Sequence, residues 1–173
     1  PEWPPASLID RPATVVPPAI ARRDVSFFSE GVKSHARIFL PAGFGPGANV
    51  PAVILAPALG DHSASALDGE AVRFAEKGFV AMAIDYRGRG QSGAFIYLAD
   101  PVRWDDRLRF SQHTARIRLR RGRILPEAQV IDIRNAITYI QGEPGVDATR
   151  IGLFGTGLAG AHVVAVAAND ARV

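Results

Sequence analysis

The stretch IGLFGTGLAGAHVV, residues 151–164, has the small-residue spacing of a nucleophile elbow. In that motif, G-x-S-x-G, a strand turns sharply into a helix and presents a serine hydroxyl at the helix N-terminus. The glycines at 155 and 157, with Ala159 and Gly160, predict the crowded packing that such a turn requires. Gly157 stands at the serine position, and glycine has no oxygen that could form an acyl-enzyme. The turn is therefore predicted without its nucleophile.

Other polar side chains near the turn have weaker claims to catalysis. Thr156 adjoins the elbow, but the turn points its side chain in a different direction, which favours a packing or hydrogen-bonding role. Asp61 and His62 follow an apolar run in GDHS and could supply a base or a metal ligand. A metal site needs three or four converging ligands, so local turn bonds made by Asp61 and Ser63 are the favoured interpretation. We predict no metal site.

The remaining histidines and one glycine-rich loop also favour structural roles. His162 follows the elbow and is predicted to pack or hydrogen-bond between elements. His35 and His113 have no acid or serine at motif spacing. The loop YRGRGQSG has glycines that weakly suggest a phosphate loop, but it lacks the P-loop lysine and the dinucleotide fingerprint. We predict no nucleotide site and no cofactor.

The composition is that of a globular chain of 173 residues, 47% hydrophobic, with a formal net charge of +3. The absence of cysteine excludes disulfides, thiolate catalysis and cysteine metal sites in this chain. Arginine greatly outnumbers lysine, a bias more typical of a GC-rich genome than of a nucleic-acid partner. Apolar stretches such as residues 50–59 are too short to cross a bilayer. We predict neither a nucleic-acid nor a membrane partner.

Strand and helix patterns alternate along the part of the chain that must position the elbow. Residues 1–23 are rich in proline and predict an extended arm, whereas residues 24–173 predict one α/β domain. The domain opens with a hairpin around Glu30-Gly31. The runs AVILAPALG and FVAMAI predict buried strands on either side of a helix that ends at Gly78, which indicates a parallel crossover. The clearest helix begins at Pro126.

Residues 94–125 interrupt this alternation as an arginine-rich insertion. Its segment ARIRLRRGRI alternates apolar and basic residues, as an edge strand would. One interpretation is an anion-binding flap. The favoured one is a solvated insertion whose arginines keep it soluble or pair with Asp100, Asp105 and Asp106. The arginines are Arg103, Arg107, Arg109, Arg116, Arg118, Arg120, Arg121 and Arg123.

Together these stretches resemble the first part of an α/β-hydrolase, in particular the dienelactone-hydrolase-like and peptidase-like esterase branch. The matching segments are VILAPALGDHS, GFVAMAIDYRGRGQSG, PEAQVIDIRNAITYIQGEPGVDATRIGLFGTGLAGAHVV and AANDARV. They cover most of residues 25–173 outside the insertion and align Gly157 with the family's serine. The resemblance implies a mostly parallel sheet with flanking helices, incomplete at its C-terminus, after an N-terminal antiparallel hairpin.

The resemblance implies a site from which this chain departs in three ways. The nucleophile is Gly157, and the family's His-Gly pair after the third strand is Pro57-Ala58. The chain stops at Val173, before the strands that carry the acid and the histidine in the family. The backbone amides of Leu59 and Leu158 still correspond to oxyanion-hole donors. The residues expected to line the pocket are Asp61, His62, Tyr86, Arg87 and Thr156.

Two functions remain open at this point. One is a binding or assembly subunit that takes a small ester, acyl or carboxylate ligand and has no serine-hydrolase activity. The other is an altered or truncated form of an esterase-like serine hydrolase, with its serine replaced and its C-terminal half absent or on another chain. In both cases the strand at 151–154 exposes an edge, which predicts association with a second copy or with a separate C-terminal chain.

Overall fold

A computed structural model describes residues 14–58, 63–101 and 112–173 of the chain. After a first hairpin, strands and helices alternate as the sequence predicts, except in the insertion, which contains two strands. The strands are β1 (Ala21–Ser29), β2 (Val32–Leu40), β3 (Val50–Ala56), β4 (Val80–Ile84), β5 (Phe95–Leu98), β6 (Ile117–Arg120) and β7 (Val146–Gly155). The helices are α1 (Asp68–Glu76), α2 (Pro126–Gln141) and α3 (Leu158–Ala167), and a 3-10 turn (Ala64–Leu67) precedes α1.

Five strands form one sheet in the order β1-β2-β4-β3-β7. β2 is antiparallel to both β1 and β4, whereas β3 runs parallel to both β4 and β7. Parallel neighbours need a crossover connection, and α1 lies on the one between β3 and β4. The predicted α/β class, with parallel core strands and an N-terminal antiparallel hairpin, is confirmed.

The hairpin pairs residue for residue from Ala21, which lies opposite Leu40, up to its turn. Glu30 and Gly31 form that turn with φ of 46° and 79°, the left-handed conformation that a two-residue hairpin loop requires. β1 begins at Ala21, so residues 21–23 belong to the sheet rather than to the predicted arm. The alternating pattern that marks the strand in the sequence starts later, because the first residues of β1 are exposed.

The buried strands divide their side chains between two layers of helix. In β3, Ile54 packs into the cluster that contains Ile133 and Ile137 of α2. The next residue, Leu55, packs into the opposite cluster with Val72 of α1. Both faces of β3 are therefore covered, which explains why its sequence is continuously apolar instead of alternating.

The insertion contains a separate antiparallel ribbon of β5 and β6. Its register places Ile96 opposite Leu119 and Leu98 opposite Ile117, so these aliphatic side chains share one face. All four are about half exposed or more. The strand predicted within ARIRLRRGRI is thus present, with β5 as its partner.

The ribbon is also held by an ion pair that the sequence predicts. Arg116 donates two hydrogen bonds, of 2.8 and 2.9 Å, to the carboxylate of Asp100. Other predicted pairs cannot be followed, because several members lie outside the described residues. These are Arg103, Arg107, Arg109, Asp105 and Asp106.

At the other end of the main sheet, β7 carries the elbow at its C-terminus. Within the described part of the chain, β3 is the strand that pairs with β7, and the opposite edge of β7 is open. Among the described residues, no helix has the length and apolarity needed to span a membrane.

Candidate functional site

The junction between β7 and α3 is a sharp turn centred on Gly157. This residue has φ 56° and ψ −127°, a backbone conformation that L-residues rarely adopt, and it directly precedes the first residue of α3. The amide of Ala159 donates to the carbonyl of Thr156, and that of Gly160 donates to the carbonyl of Gly157, both at 3.1 Å. The chain therefore makes the predicted strand-turn-helix around the position of the missing side chain.

Crowding explains only part of the glycine pattern at this turn. A Cβ atom on Gly155 would lie 2.7 Å from the backbone oxygen of Ala159, so a side chain there would collide with α3. A Cβ atom on Gly157 would meet nothing within 4 Å. The sequence prediction that crowding restricts position 157 is thus wrong. The restriction at Gly157 is its positive φ, and the space beside it is open.

The carboxyl ends of β3, β4 and β7 meet beside this turn, because the three strands are parallel neighbours. A small cleft lies there, with about 200 Å³ of space including its open mouth. Its walls come from the segments that follow the three strands and from α2 and α3. The lining residues are Pro57, Ala58, Tyr86, Arg89, Gln129, Leu158, Ala159 and His162.

Two polar side chains that line this cleft, Tyr86 and His162, contact each other. The Tyr86 hydroxyl lies 3.1 Å from Nδ1 of His162, and the two rings meet edge to face with centroids 5.8 Å apart. Burial raises the pKa of Tyr86, with a further contribution from the charge of Asp132, so the phenol keeps its proton. Burial lowers the pKa of His162, so its imidazole is neutral at pH 7. His162 links α3 to the loop after β4, as the sequence predicts for a packing histidine.

Arg87, expected in the pocket, is not among the cleft-lining residues and lies in a buried polar network. Its guanidinium donates to Oδ1 of Asp132 at 2.9 Å and to the Ser29 hydroxyl at 2.9 Å. The same Asp132 accepts from the backbone amide of Arg87 at 2.9 Å. The guanidinium also stacks over the ring of Phe95, 4.9 Å from its centroid. Arg87 therefore ties the loop after β4 to α2 and β1.

Asp85 organises the glycine-rich loop that follows β4. Its carboxylate accepts from the amide of Gln91 at 2.9 Å and from that of Ala64, and it lies 2.8 Å from Nδ1 of His35. A Cβ atom on Gly90 would collide with this carboxylate, so the loop glycine makes room for Asp85. The loop is thus built around a buried carboxylate.

The other residues predicted for the pocket divide into two groups. Thr156 is exposed at the turn and does not line the cleft. Leu59, Asp61 and His62 lie outside the described residues. Among the residues that are described, no group of three or more His, Asp or Glu side chains could hold a metal ion.

Sequence comparison agrees with the fold and the elbow. Residues 36–173 match the dienelactone hydrolase family, and the match runs from the middle of β2 through α3. The chain belongs to the dienelactone hydrolase family. The family resemblance inferred from the elbow and its flanking strands is therefore confirmed.

Individual relatives are distant, and their names differ. The chain is 34% identical over 100 residues to an Escherichia coli protein, "Uncharacterized 31.7 kDa protein in traX-finO intergenic region", covering 58% of this chain and 26% of that one. It is 28% identical over 151 residues to the quorum-quenching protein AidA of Acinetobacter baumannii (strain MDR-ZJ06), covering 87% and 40% of the two chains. The crystal structure of the α/β hydrolase GrgF from Penicillium sp. sh18 superposes with a TM-score of 0.66 at 25% identity, covering 88% and 43%. The chain thus spans less than half the length of these relatives.

The sequence does not predict that three of the residues lining the cleft would lie there. Arg89 and Gln129 belong to no motif, and His162 was placed between elements without a cavity beside it. Their approach depends on how α2, α3 and the loop after β4 pack together, since each of the three residues lies more than 30 positions from the next along the chain. No local pattern carries that information.

Proposed function

We propose that this chain binds a small acyl or carboxylate ligand at the elbow and does not attack it. The observation that supports this proposal is Gly157, which keeps the backbone of the turn and has no side-chain oxygen. Without a hydroxyl there is no acyl-enzyme, whereas the backbone donors of such a turn can still bind negative oxygen. Family membership supplies the acyl chemistry for which the turn is shaped.

Two donors favour a negatively charged oxygen at this place. The amide of Leu158 opens the ten-residue helix α3 and has no hydrogen-bond acceptor within the described part of the chain. Helix N-termini attract anions because their free amides and the helix dipole both point at the ligand. The Arg89 guanidinium lines the same cleft and makes no ion pair with any described residue. A carboxylate, or the carbonyl of an acyl group, suits both donors.

The proposal is tested by titrating the protein with propionate and with its neutral analogue propionamide. We expect propionate to shift the backbone amide resonances of Gly157 and Leu158, and propionamide to shift them less. Arg89→Gln should weaken propionate binding, because it removes the cation. Arg123→Gln is the matched control, since Arg123 carries the same charge on an exposed site outside the cleft. Absence of any propionate shift would contradict the proposal.

Hydrolysis is measured in parallel with p-nitrophenyl propionate. We expect no burst of nitrophenol and no acyl adduct in the intact mass, because position 157 offers no nucleophile. A stoichiometric burst with an acylated protein would show that another side chain attacks, and would overturn the proposal of a ligand that is bound but not attacked.

A second candidate function is a serine esterase of which this chain is one part, with serine at position 157 in its active form. The open space beside Gly157 favours it, because a serine side chain would collide with no described atom there. Intact mass of the protein isolated from its source, with every polypeptide that co-purifies, separates the candidates. Serine at 157, or a second chain that supplies an acid and a histidine, supports the esterase.

We also propose that the protein associates through β7. Within the described residues, no strand pairs with the edge of β7 opposite β3, and Val164 on the adjoining α3 is 68% exposed. A second copy or a separate C-terminal chain could pair with this edge. Light scattering during size exclusion over a range of protein concentrations tests self-association, and a monomer at every concentration, with no co-purifying chain, would contradict it.

A further inference from the structure

The cleft beside the elbow contains two buried polar side chains, each with an atom that has no hydrogen-bond partner. Gln129 and His162 are each only 4% exposed, and both line the cleft. Within the described part of the chain, Oε1 of Gln129 and Nε2 of His162 are unpaired. Buried polar atoms are nearly always paired, because leaving one unpaired forfeits its hydration without compensation. Two such atoms around one small cleft indicate a group that enters from outside.

The protonation states define what that group must offer. The Tyr86 phenol keeps its proton and can donate it to Nδ1 of His162, which is 3.1 Å away. The proton of the neutral imidazole then lies on Nε2, so Nε2 is a donor. Oε1 of Gln129 is an acceptor and needs a donor. A hydroxyl group satisfies both, since its oxygen accepts from Nε2 and its proton goes to Oε1. A carboxylate cannot donate to Oε1 of Gln129, and a methyl group pairs with neither atom.

We infer that the cleft is a hydroxyl-recognition subsite, in which Gln129 and His162 hydrogen-bond a hydroxyl group carried by the acyl or carboxylate ligand. This inference rests on the proposed function, because the subsite adjoins Leu158 and Arg89, which were proposed to hold the carboxylate. The cleft has about 200 Å³ of space including its open mouth, so it admits only a small group. The ligand class is therefore a short hydroxycarboxylate.

Lactate and propionate provide a matched pair of probes, because they share a carboxylate and a three-carbon chain and differ in one hydroxyl. Both are titrated into the whole protein, and binding is followed at the backbone amide of Leu158. We expect lactate to bind about tenfold more tightly than propionate, because its hydroxyl pairs two buried polar atoms that propionate leaves unpaired.

A substitution at Gln129 tests whether that residue hydrogen-bonds the ligand hydroxyl. Gln129→Met keeps the length of the side chain and removes the acceptor, so the preference for lactate should shrink to what the remaining hydrogen bond from Nε2 of His162 supports. Gln141→Met is the matched control, because Gln141 lies at the far end of α2, outside the cleft. It should keep the preference for lactate. Gln129→Met also removes an unpaired buried acceptor, so its Tm should equal or exceed that of the unmodified protein, which distinguishes lost recognition from lost folding.

The outcomes separate this inference from the proposed function. Equal binding of lactate and propionate by the unmodified protein would overturn the hydroxyl subsite and leave the carboxylate site standing. A preference for lactate that is undiminished in Gln129→Met would also overturn it. Absence of binding by both probes would overturn the carboxylate site itself, and the subsite with it.

Discussion

The tightest steric contact at the elbow predicts a large difference between two glycines of the same strand. We expect Gly155→Ala to destabilise the protein and Gly152→Ala to leave it unchanged or slightly stabilised. An added Cβ atom at position 155 would lie 2.7 Å from the Ala159 backbone oxygen and 2.8 Å from its carbonyl carbon. At position 152 it would meet no atom within 4 Å.

The magnitude follows from what each alanine adds. Replacing glycine by alanine reduces the freedom of the unfolded chain, which stabilises the fold by about 0.4–1 kcal/mol where the native backbone accepts it. Both positions lie in β7 and neither has a positive φ, so this contribution is similar for the two and cancels in their difference. Overpacking remains at position 155 alone and costs about 1–3 kcal/mol. The free energies of unfolding should therefore differ by about 1–3 kcal/mol.

Urea-induced unfolding, followed by far-UV circular dichroism, measures this difference. The midpoint for Gly155→Ala should fall clearly below that for Gly152→Ala, with an unchanged slope, because the surface exposed on unfolding is the same. Equal midpoints would refute the reasoning, since they would mean that the first turn of α3 can shift to accommodate a side chain at position 155 with no loss of stability.

Three further predictions concern the site and its supports. Asp132→Ala should lower the free energy of unfolding by about 3–5 kcal/mol, because, among the described residues, it leaves the buried Arg87 guanidinium with only the longer, 3.5 Å contact to a carboxylate, that of Glu30. Asp100→Ala, in an exposed pair, should cost at most about 1 kcal/mol, and urea melts compare the two. Neighbouring arginines hold the pKa of Asp170 well below its usual range, so this carboxylate stabilises the fold above its ordinary pKa and the stabilisation is lost as the pH falls through the lowered value. In melts at decreasing pH, the free energy of unfolding of Asp170→Asn should therefore fall less steeply than that of the unmodified protein. An equally steep fall would contradict the assignment. Gly157→Ser should fold but lose about 1–3 kcal/mol to the positive φ, and a circular dichroism melt identical to that of the unmodified protein would contradict this.

Local rules account for the elements that were predicted well. The crossover from β3 through α1 to β4 follows from two short apolar runs separated by an amphipathic segment that ends at Gly78. The elbow follows from steric requirements that act within six residues, as the contact between Gly155 and Ala159 shows. At Gly157 the sequence predicts the turn, but the reason for the glycine is its positive φ and not crowding. The sequence does not distinguish a glycine required by crowding from one required by φ.

Long-range packing accounts for what the sequence did not reveal. Arg87 meets Asp132 across 45 positions, and Tyr86 meets His162 across 76. Whether Arg87 lines the cleft or pairs with Asp132 depends on which way the loop after β4 turns. The spacing of residues along the chain does not determine this.

The sequence by itself determined the order of strands and helices, the turn at Gly157 and the absence of a nucleophile there, because these depend on neighbours within a few residues. The tertiary structure alone decided which polar groups are paired and which are not. Gln129 and His162 have unpaired atoms only because two helices and a loop close around the same small space, and that arrangement is set by the packing of the whole sheet and its helices.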